Sequence, residues 1–230
     1  MIAIIPARGG SKGVVDKNIK KLCKKPLLAY TIESALKAKK VTRVIVSTDS
    51  EKIANIAIRY GAEVPFLRPK EISDDSSKIL DNYKFAINFL KNLGENFNSF
   101  VALQPTSPFR DSDDINRAID LFIKTKTDSV ISFVEESHPI EWNRLINENK
   151  TFKEISISAI YNRQVYKNTY RFNGAVYVFK NELVMKSKMY SENSIAYVMP
   201  KIRSLDIDTE DDFLYAEFLM RKLQNGKKEI

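Results

Sequence analysis

Residues 4–18 read IIPARGGSKGVVDKN, a short apolar run that leads directly into a glycine-rich loop. The paired glycines Gly9 and Gly10 allow the backbone to turn its N–H groups toward one point. Arg8, Lys12 and Lys17 place positive charge around the same point. A strand that ends in such a loop is typical of an α/β nucleotide-binding protein, and the loop predicts a triphosphate site.

The order of residues in this loop excludes a Walker A motif. That motif ends in Gly-Lys-Ser/Thr at the start of a helix, whereas here Ser11 precedes Lys12. The alternative to a phosphate site is an ordinary solvated loop between a strand and a helix.

Two carboxylates near the C-terminus, Asp206 and Asp208, are separated by one residue. Alternate side chains of an extended segment share a face, so the pair is suited to a hard divalent cation such as Mg²⁺. The alternative is helix capping, with Asp208 or Thr209 as the N-cap and the acids at 210–212 in the first helical turn. The two roles are compatible.

Composition indicates a globular protein of 230 residues with 43% hydrophobic residues and a formal net charge of +8. The positive charge would attract a nucleotide or an acidic sugar, and no basic stripe interleaved with aromatics predicts nucleic-acid binding. The lone Cys23 excludes an internal disulfide, and the lone His138, interpreted as a structural loop residue, excludes a histidine-rich metal site. With no membrane-length apolar run and no signal peptide, we expect a soluble cytoplasmic protein.

Apolar β-branched runs alternate with segments of helical period over the first 134 residues. The predicted strands cover 2–5, 43–47, 100–103 and 129–134, and the predicted helices cover 27–37, 51–60, 79–93 and 113–124. This alternation predicts a mostly parallel sheet with helices on both faces, whose ligands bind at the carboxyl ends of the strands. The loops at Arg8 and at Gln104 should open onto that edge. Asp49 or Ser50, after the second strand, is expected mainly to cap the next helix.

Residues 135–172 interrupt this pattern and are rich in polar and aromatic side chains. They predict an insertion that forms either an oligomer contact or a small satellite core. The α/β domain then comprises 1–134 and 173–230, with strands at 175–179 and 196–198 and a last helix after the acidic segment.

Four motifs occur in a familiar order: residues 6–13 with Lys17-Asn18, Leu103-Gln104-Pro105-Thr106-Ser107-Pro108, Asn173-Gly174-Ala175-Val176-Tyr177, and Asp206-Ile207-Asp208-Thr209. Together they resemble the acylneuraminate cytidylyltransferases, or CMP-sialic acid synthetases, over nearly the whole chain. That resemblance implies a Rossmann-like nucleotide-diphosphate-sugar transferase fold and a homodimer. It also implies that CTP and a nine-carbon acidic sugar are joined with release of pyrophosphate.

The resemblance also implies roles for individual residues. The nucleotide and its phosphates would be bound by Arg8, Gly9, Gly10, Ser11, Lys12, Lys17, Asn18 and Arg68. The sugar would be held by Gln104, Thr106, Ser107, Arg163, Arg171 and Asn173. Asp206 and Asp208 correspond to the magnesium ligands, and Arg8, Lys12, Lys17 and Asp208 to the catalytic groups.

The chain departs from the family pattern at two places. No proline follows Arg163-Gln164, and Ile79 stands where a serine is usual, so no nucleotide contact is assigned to Ser76 or Ser77. The Gly9-Gly10-Ser11-Lys12 loop argues against a 3-deoxy-manno-octulosonate enzyme. Legionaminic and pseudaminic acids stay open as substrates, and a basic RNA-binding module or a glycosyltransferase are the more distant alternatives.

Overall fold

The computed structural model describes residues 1–11, 13–73, 77–154 and 168–225. Its strands are β1 (Ile2–Pro6), β2 (Lys21–Leu22), β3 (Lys25–Pro26), β4 (Arg43–Ser47), β5 (Ser99–Ala102), β6 (Ser129–Glu135), β7 (Arg144–Ile146), β8 (Phe152–Glu154), β9 (Tyr170–Lys180) and β10 (Ser194–Val198). Its α-helices are α1 (Leu27–Lys37), α2 (Glu51–Arg59), α3 (Ile79–Asn92), α4 (Ser112–Thr125), α5 (Asn181–Met185) and α6 (Glu210–Asn225). Within this part of the chain, no helix is both long and apolar enough to cross a membrane.

Six strands form the main sheet in the order β10-β6-β9-β5-β1-β4. β1 pairs in parallel with β4 and β5, and β10 pairs in parallel with β6. β9 is antiparallel to both of its neighbours. The predicted mostly parallel α/β sheet is therefore confirmed.

Helices cover both faces of this sheet, as predicted. Because side chains of a strand alternate between faces, Ala3 and Ile5 pack in one buried cluster with residues of α1, α2 and α4. Ile2 and Ile4 pack in a second cluster with residues of α3 and α5. These four β1 side chains are buried in the core, and β1 therefore fixes the start of the glycine-rich loop.

The direction of β9 follows from the path of the chain between β6 and β9. β6 ends at Glu135 and β9 starts beside it, so the chain enters β9 at the edge of the sheet where it leaves β6. β7 and β8 lie in this connection, and among the strands that the structure describes they pair only with each other, as an antiparallel hairpin. β9 begins at Tyr170, which pairs with Glu135, and the predicted insertion boundaries at 135 and 172 stay a prediction.

Candidate active site

A cleft of about 500 Å³ is lined by residues that follow β1 and β5 and by the acidic segment before α6. These segments meet at the sheet edge where ligands of α/β proteins bind. Nine of the residues predicted to act in the site line this cleft: Arg8, Ser11, Lys17, Asn18, Arg68, Gln104, Thr106, Asp206 and Asp208.

The glycine-rich loop and the acidic segment are in direct contact, although they lie at opposite ends of the chain. Val14 and Ile207 are fully buried in one apolar cluster, together with Phe213 of α6. Gly13 approaches the acidic segment so closely that a Cβ atom there would lie 2.2 Å from the carbonyl oxygen of Asp208. Burial of Ile207 leaves its neighbours Asp206 and Asp208 at the cleft.

Lys17 connects the same two segments through hydrogen bonds. Its Nζ donates to the carbonyl oxygen of Ile207 at 2.9 Å and to Asp208 Oδ1 at 3.0 Å. Asn18 supports the loop from the other side, because its Nδ2 donates to the carbonyl oxygen of Arg8 at 2.9 Å. The predicted cationic groups and the predicted carboxylates therefore belong to one site.

The start of α6 is capped by residues other than the carboxylate pair. The Asp212 carboxylate accepts hydrogen bonds from the backbone N–H of Thr209 at 2.8 Å and from its hydroxyl at 2.7 Å. The Thr209 hydroxyl in turn accepts from the N–H of Asp212 at 3.2 Å. Burial disfavours the Asp212 charge, but these hydrogen bonds outweigh it and lower the pKa of Asp212. Asp206 and Asp208 are therefore not needed as caps.

Asp206 is half-buried, whereas Asp208 is exposed. The Oδ1 of Asp206 is buried and has no hydrogen-bond partner among the described residues. Burial raises the pKa of Asp206, the adjacent Thr106 side chain lowers it, the nearby Asp208 charge raises it, and the charges of Lys17 and Arg171 lower it. An unpartnered carboxylate oxygen beside a second, exposed carboxylate fits the oxygen ligands that Mg²⁺ takes from proteins.

Arg68 and Asp49 lie beside the glycine-rich loop. Arg68 is only 4% exposed, and its Nε donates to Ser73 Oγ at 2.8 Å. Burial lowers the pKa of Arg68, while the Asp49 carboxylate, 3.9 Å away, opposes this shift. The same carboxylate accepts a hydrogen bond from the Gly9 N–H at 2.9 Å. That amide, which we expected to face phosphate, is therefore already paired, and neither Gly9 nor Gly10 is among the described residues that line the cleft.

Gln104 and Thr106, which follow β5, form a second wall of the cleft. The carbonyl oxygen of Thr106 accepts from the N–H of Ile207 at 3.0 Å, which joins this wall to the acidic segment. Gly174 adopts φ +71°, and a Cβ there would lie 3.0 Å from Gln104 Oε1. A glycine at position 174 therefore satisfies the backbone and also leaves room for the Gln104 side chain.

Ser107 and Asn173 were predicted to hold the sugar, but both are buried behind the wall. The Asn173 amide oxygen accepts from Ser132 Oγ at 2.5 Å, and its Nδ2 donates to Ser204 Oγ at 2.9 Å. The Ser107 hydroxyl is 3.5 Å from the carbonyl oxygen of Asn173. These side chains therefore stabilise the Gln104–Thr106 wall from the protein interior. They are not among the described residues that line the cleft.

Arg171 projects from the exposed half of β9 and forms an ion pair with Glu136 at 2.9 Å. Its charge also acts on Asp206. Two further predicted residues, Lys12 and Arg163, lie outside the described residues.

Comparison with known proteins places the chain in a family. The family model for cytidylyltransferases matches residues 2–221. The chain belongs to the cytidylyltransferase family. The resemblance that the motifs indicated is therefore confirmed, and the match covers every segment that forms the cleft.

Curated members of this family differ in the sugar that they are named for. The chain is 38% identical to an N-acylneuraminate cytidylyltransferase of Escherichia coli, over all of the chain and 54% of that protein. It is 34% identical to a CMP-N,N'-diacetyllegionaminic acid synthase of Legionella pneumophila, over 98% of each. A pseudaminic acid cytidylyltransferase of Campylobacter jejuni is 31% identical over 96% of each. The chain thus spans about half the length of the E. coli relative and nearly all of the other two.

Solved structures show the same fold at low sequence identity. A CMP:2-keto-3-deoxy-manno-octonic acid synthetase complexed with CTP superposes with a TM-score of 0.71 at 15% identity, covering 96% of this chain and 98% of that one. This likeness confirms the Rossmann-like nucleotidyltransferase fold of the cytidylyltransferase chain.

Two polar residues of the site were missed in the sequence. Asp49 or Ser50 was expected mainly to cap α2, and Ser50 is indeed the N-cap and accepts from the N–H of Ile53. The role of Asp49 beside the glycine-rich loop was not foreseen. Asn82 lines the cleft, and its Oδ1 accepts from Ser47 Oγ at 2.8 Å. An amide on the buried stripe of α3 was the available signal for Asn82, because buried polar side chains are usually hydrogen-bonded.

Proposed function

We propose that this cytidylyltransferase joins CTP to a nine-carbon acidic sugar, N-acetylneuraminate or a close analogue, and releases pyrophosphate. The observation that carries the proposal is the single cleft in which Lys17 of the glycine-rich loop contacts Asp208 of the carboxylate pair. The names of the three relatives, which concern N-acylneuraminate, legionaminic acid and pseudaminic acid, support this substrate class.

In the proposed reaction, the anomeric hydroxyl of the sugar attacks the α-phosphorus of CTP. The new bond joins the sugar oxygen to phosphorus, the bond to pyrophosphate breaks, and the hydroxyl proton passes to a base, for which the Asp208 carboxylate is the candidate. Negative charge grows on the departing pyrophosphate, and fixed cations nearby stabilise it. Arg8 and Lys17 line the cleft in this role, with Arg68 buried beside them, and Lys12 belongs to the same loop in sequence.

Asp206 and Asp208 would hold Mg²⁺, which when bound would supply Lewis-acid stabilisation of the charge on the phosphate. Asp208 has a side chain that is 72% exposed, so its carboxylate is also accessible as a proton acceptor. On the wall that follows β5, the Gln104 amide offers neutral hydrogen-bonding groups for the sugar, whereas the predicted sugar ligand Thr106 has a buried hydroxyl beside Asp206. Arg171 offers a cation for the sugar carboxylate.

We further propose that the active form is a homodimer that uses the β7–β8 hairpin. Ile146 and Phe152 are opposite each other in this hairpin, and their side chains are 76% and 68% exposed. Apolar side chains exposed together are typical of an interface. In such a dimer the described part of the insertion region, which includes Arg171, would lie close to the partner subunit.

The decisive assay incubates the chain with CTP, Mg²⁺ and one acidic sugar at a time, and measures pyrophosphate and CMP-sugar. N-acetylneuraminate, legionaminic acid, pseudaminic acid and 3-deoxy-manno-octulosonate form the panel, and ATP and GTP replace CTP as controls. We expect a CMP-sugar from a nine-carbon acid in the presence of CTP, and no nucleotide-sugar when ATP or GTP replaces CTP. Absence of CMP-sugar from every nine-carbon acid in the panel would refute the proposal, even if 3-deoxy-manno-octulosonate gave a product.

CMP-activation of legionaminic acid is the second candidate, because the chain and the legionaminic acid synthase cover 98% of each other. In the same panel, this candidate predicts a higher kcat/KM for legionaminic acid than for N-acetylneuraminate.

A further inference from the structure

Arg110 is buried behind the cleft, immediately before α4, and is only 2% exposed. One of its terminal nitrogens donates to the carbonyl oxygen of Gln104 at 3.1 Å and to that of Ala175 at 3.0 Å. The other is 3.4 Å from Ser34 Oγ, and Nε has no partner among the described residues. The shortest hydrogen bonds of this guanidinium therefore end on two backbone carbonyls.

A buried arginine is costly unless its charge is compensated. Burial lowers the pKa of Arg110 to about 10, and the carboxylates of Asp114 and Asp111 oppose this shift. The side chain is still cationic at neutral pH. Asp114 is itself buried, and its charge is already paired with Arg203 at 2.9 Å, so Arg110 is not needed to neutralise it.

The two carbonyls that Arg110 binds flank the Gln104 side chain. Gln104 starts the wall that continues to Thr106, and Ala175 follows Gly174, whose missing Cβ leaves room for Gln104. Other donors to the Gln104 carbonyl are farther away, with Thr31 Oγ1 at 3.4 Å and the N–H of Ser107 at 3.5 Å. Arg110 therefore fixes the spacing between β9 and the loop after β5.

We propose that Arg110 is a positioning residue for the sugar half of the site. By holding the Gln104 peptide against β9, it aims the Gln104 side chain at the acidic sugar without touching either substrate. This inference rests on the proposed function, in which Gln104 holds the sugar. The nucleotide half depends on different contacts, those of Lys17, Asn18 and Arg68.

The test is the effect of Arg110→Met on the two KM values. Methionine is apolar and similar in length, and Asp114 keeps its hydrogen bonds from Arg203 and from Tyr197. We expect the KM for the acidic sugar to rise at least about tenfold, with the KM for CTP within about twofold of the wild type. A single buried hydrogen bond to a charged group is large enough for such a change.

Two further variants keep the test decisive. Arg110→Lys retains a cationic donor, should fold even where methionine does not, and should recover part of the sugar KM. Arg117→Met removes the same charge from an exposed position of α4, and should change neither KM. If the wild type activates no acidic sugar, both the proposed function and the proposed role of Arg110 are refuted. An active wild type whose folded Arg110 variants leave the sugar KM unchanged, or raise both KM values equally, refutes the role of Arg110 alone.

Discussion

Lys17 reaches from the glycine-rich loop to the acidic segment, and its side chain is only 14% exposed. Its ammonium group sits between a backbone carbonyl and the Asp208 carboxylate. A lysine held in this way contributes a fixed positive charge to the cleft, and not a mobile surface charge.

We predict that Lys17→Met lowers kcat/KM for CTP about 100-fold, the scale of losing one preorganised group that stabilises transition-state charge. The melting temperature should fall by no more than about 4 °C, because one neutral hydrogen-bond acceptor loses its donor. Steady-state kinetics and thermal melting measure the two effects. Lys21→Met is the matched control, since it removes the same charge from an exposed residue of β2. Equal losses in both variants would show that only overall charge matters.

At the scale of elements, the glycine-rich loop and the acidic segment can approach each other closely because Gly13 has no side chain. The acidic segment passes so close that any side chain at position 13 must displace the Asp208 backbone. The apolar cluster in which Val14 and Ile207 are buried opposes this displacement, because it holds the two segments together.

We predict that Gly13→Ala lowers kcat at least about tenfold while circular dichroism shows the wild-type secondary structure. The added methyl group would separate the acidic segment from the glycine-rich loop. A displaced catalytic group lowers the rate of the chemical step. Activity close to that of the wild type in a folded Gly13→Ala protein would contradict the close approach.

Asp128 joins the start of β6 to the end of β9 and to the turn before β10. Lys180 Nζ donates to its Oδ1 at 2.7 Å, and Ser191 Oγ donates to its Oδ2 at 2.8 Å. The hydrogen bond from Lys180 lowers the pKa of Asp128, and the bond from Ser191 adds to this effect. The native carboxyl therefore binds its proton less readily than the unfolded one, so its stabilisation is present above the unfolded pKa and is lost as the pH falls through the native pKa.

We predict that Asp128→Asn lowers the melting temperature at pH 7 by up to about 4 °C, the effect of a partly exposed ion pair, and that the difference shrinks toward pH 3. Melting curves across this pH range measure it. Asp120→Asn, in a more exposed pair with Lys40, should have a smaller effect at pH 7. A difference that stays constant with pH would contradict the assigned ionic contribution.

The predicted helices agree with α1 to α4 to within one residue at each end, because apolar stripes and capping residues are local signals. The direction of β9 was not predictable from its composition, since an apolar run has the same pattern in either direction. The contact between Asp49 and Gly9 joins residues 40 positions apart, and burial of Asn173 depends on Ser132 and Ser204. Such contacts depend on tertiary packing. The sequence therefore identified many of the residues that line the cleft, but not the contacts that hold those residues in place.

At the scale of the whole molecule, the exposed hairpin β7–β8 is the region that association would bury. We predict that Phe152→Asp converts the proposed dimer to a monomer, because a charge replaces an apolar side chain at the interface. Light scattering after size exclusion measures the mass. Phe218→Asp on α6, where Phe218 is also 61% exposed, should leave the dimer intact. A wild-type chain that is monomeric at micromolar concentration would contradict the dimer.

The central claim is that the cationic loop and the carboxylate pair act on the same CTP. Mg²⁺-dependent pyrophosphate release from CTP and an acidic nine-carbon sugar tests it when the wild type is compared with Asp208→Ala and with Asp211→Ala. Asp208 is exposed and its loss should not unfold the chain, and Asp211 is an exposed carboxylate three positions away that does not line the cleft. We predict that Asp208→Ala abolishes pyrophosphate release while Asp211→Ala retains it. Wild-type turnover in a folded Asp208→Ala protein would contradict the account.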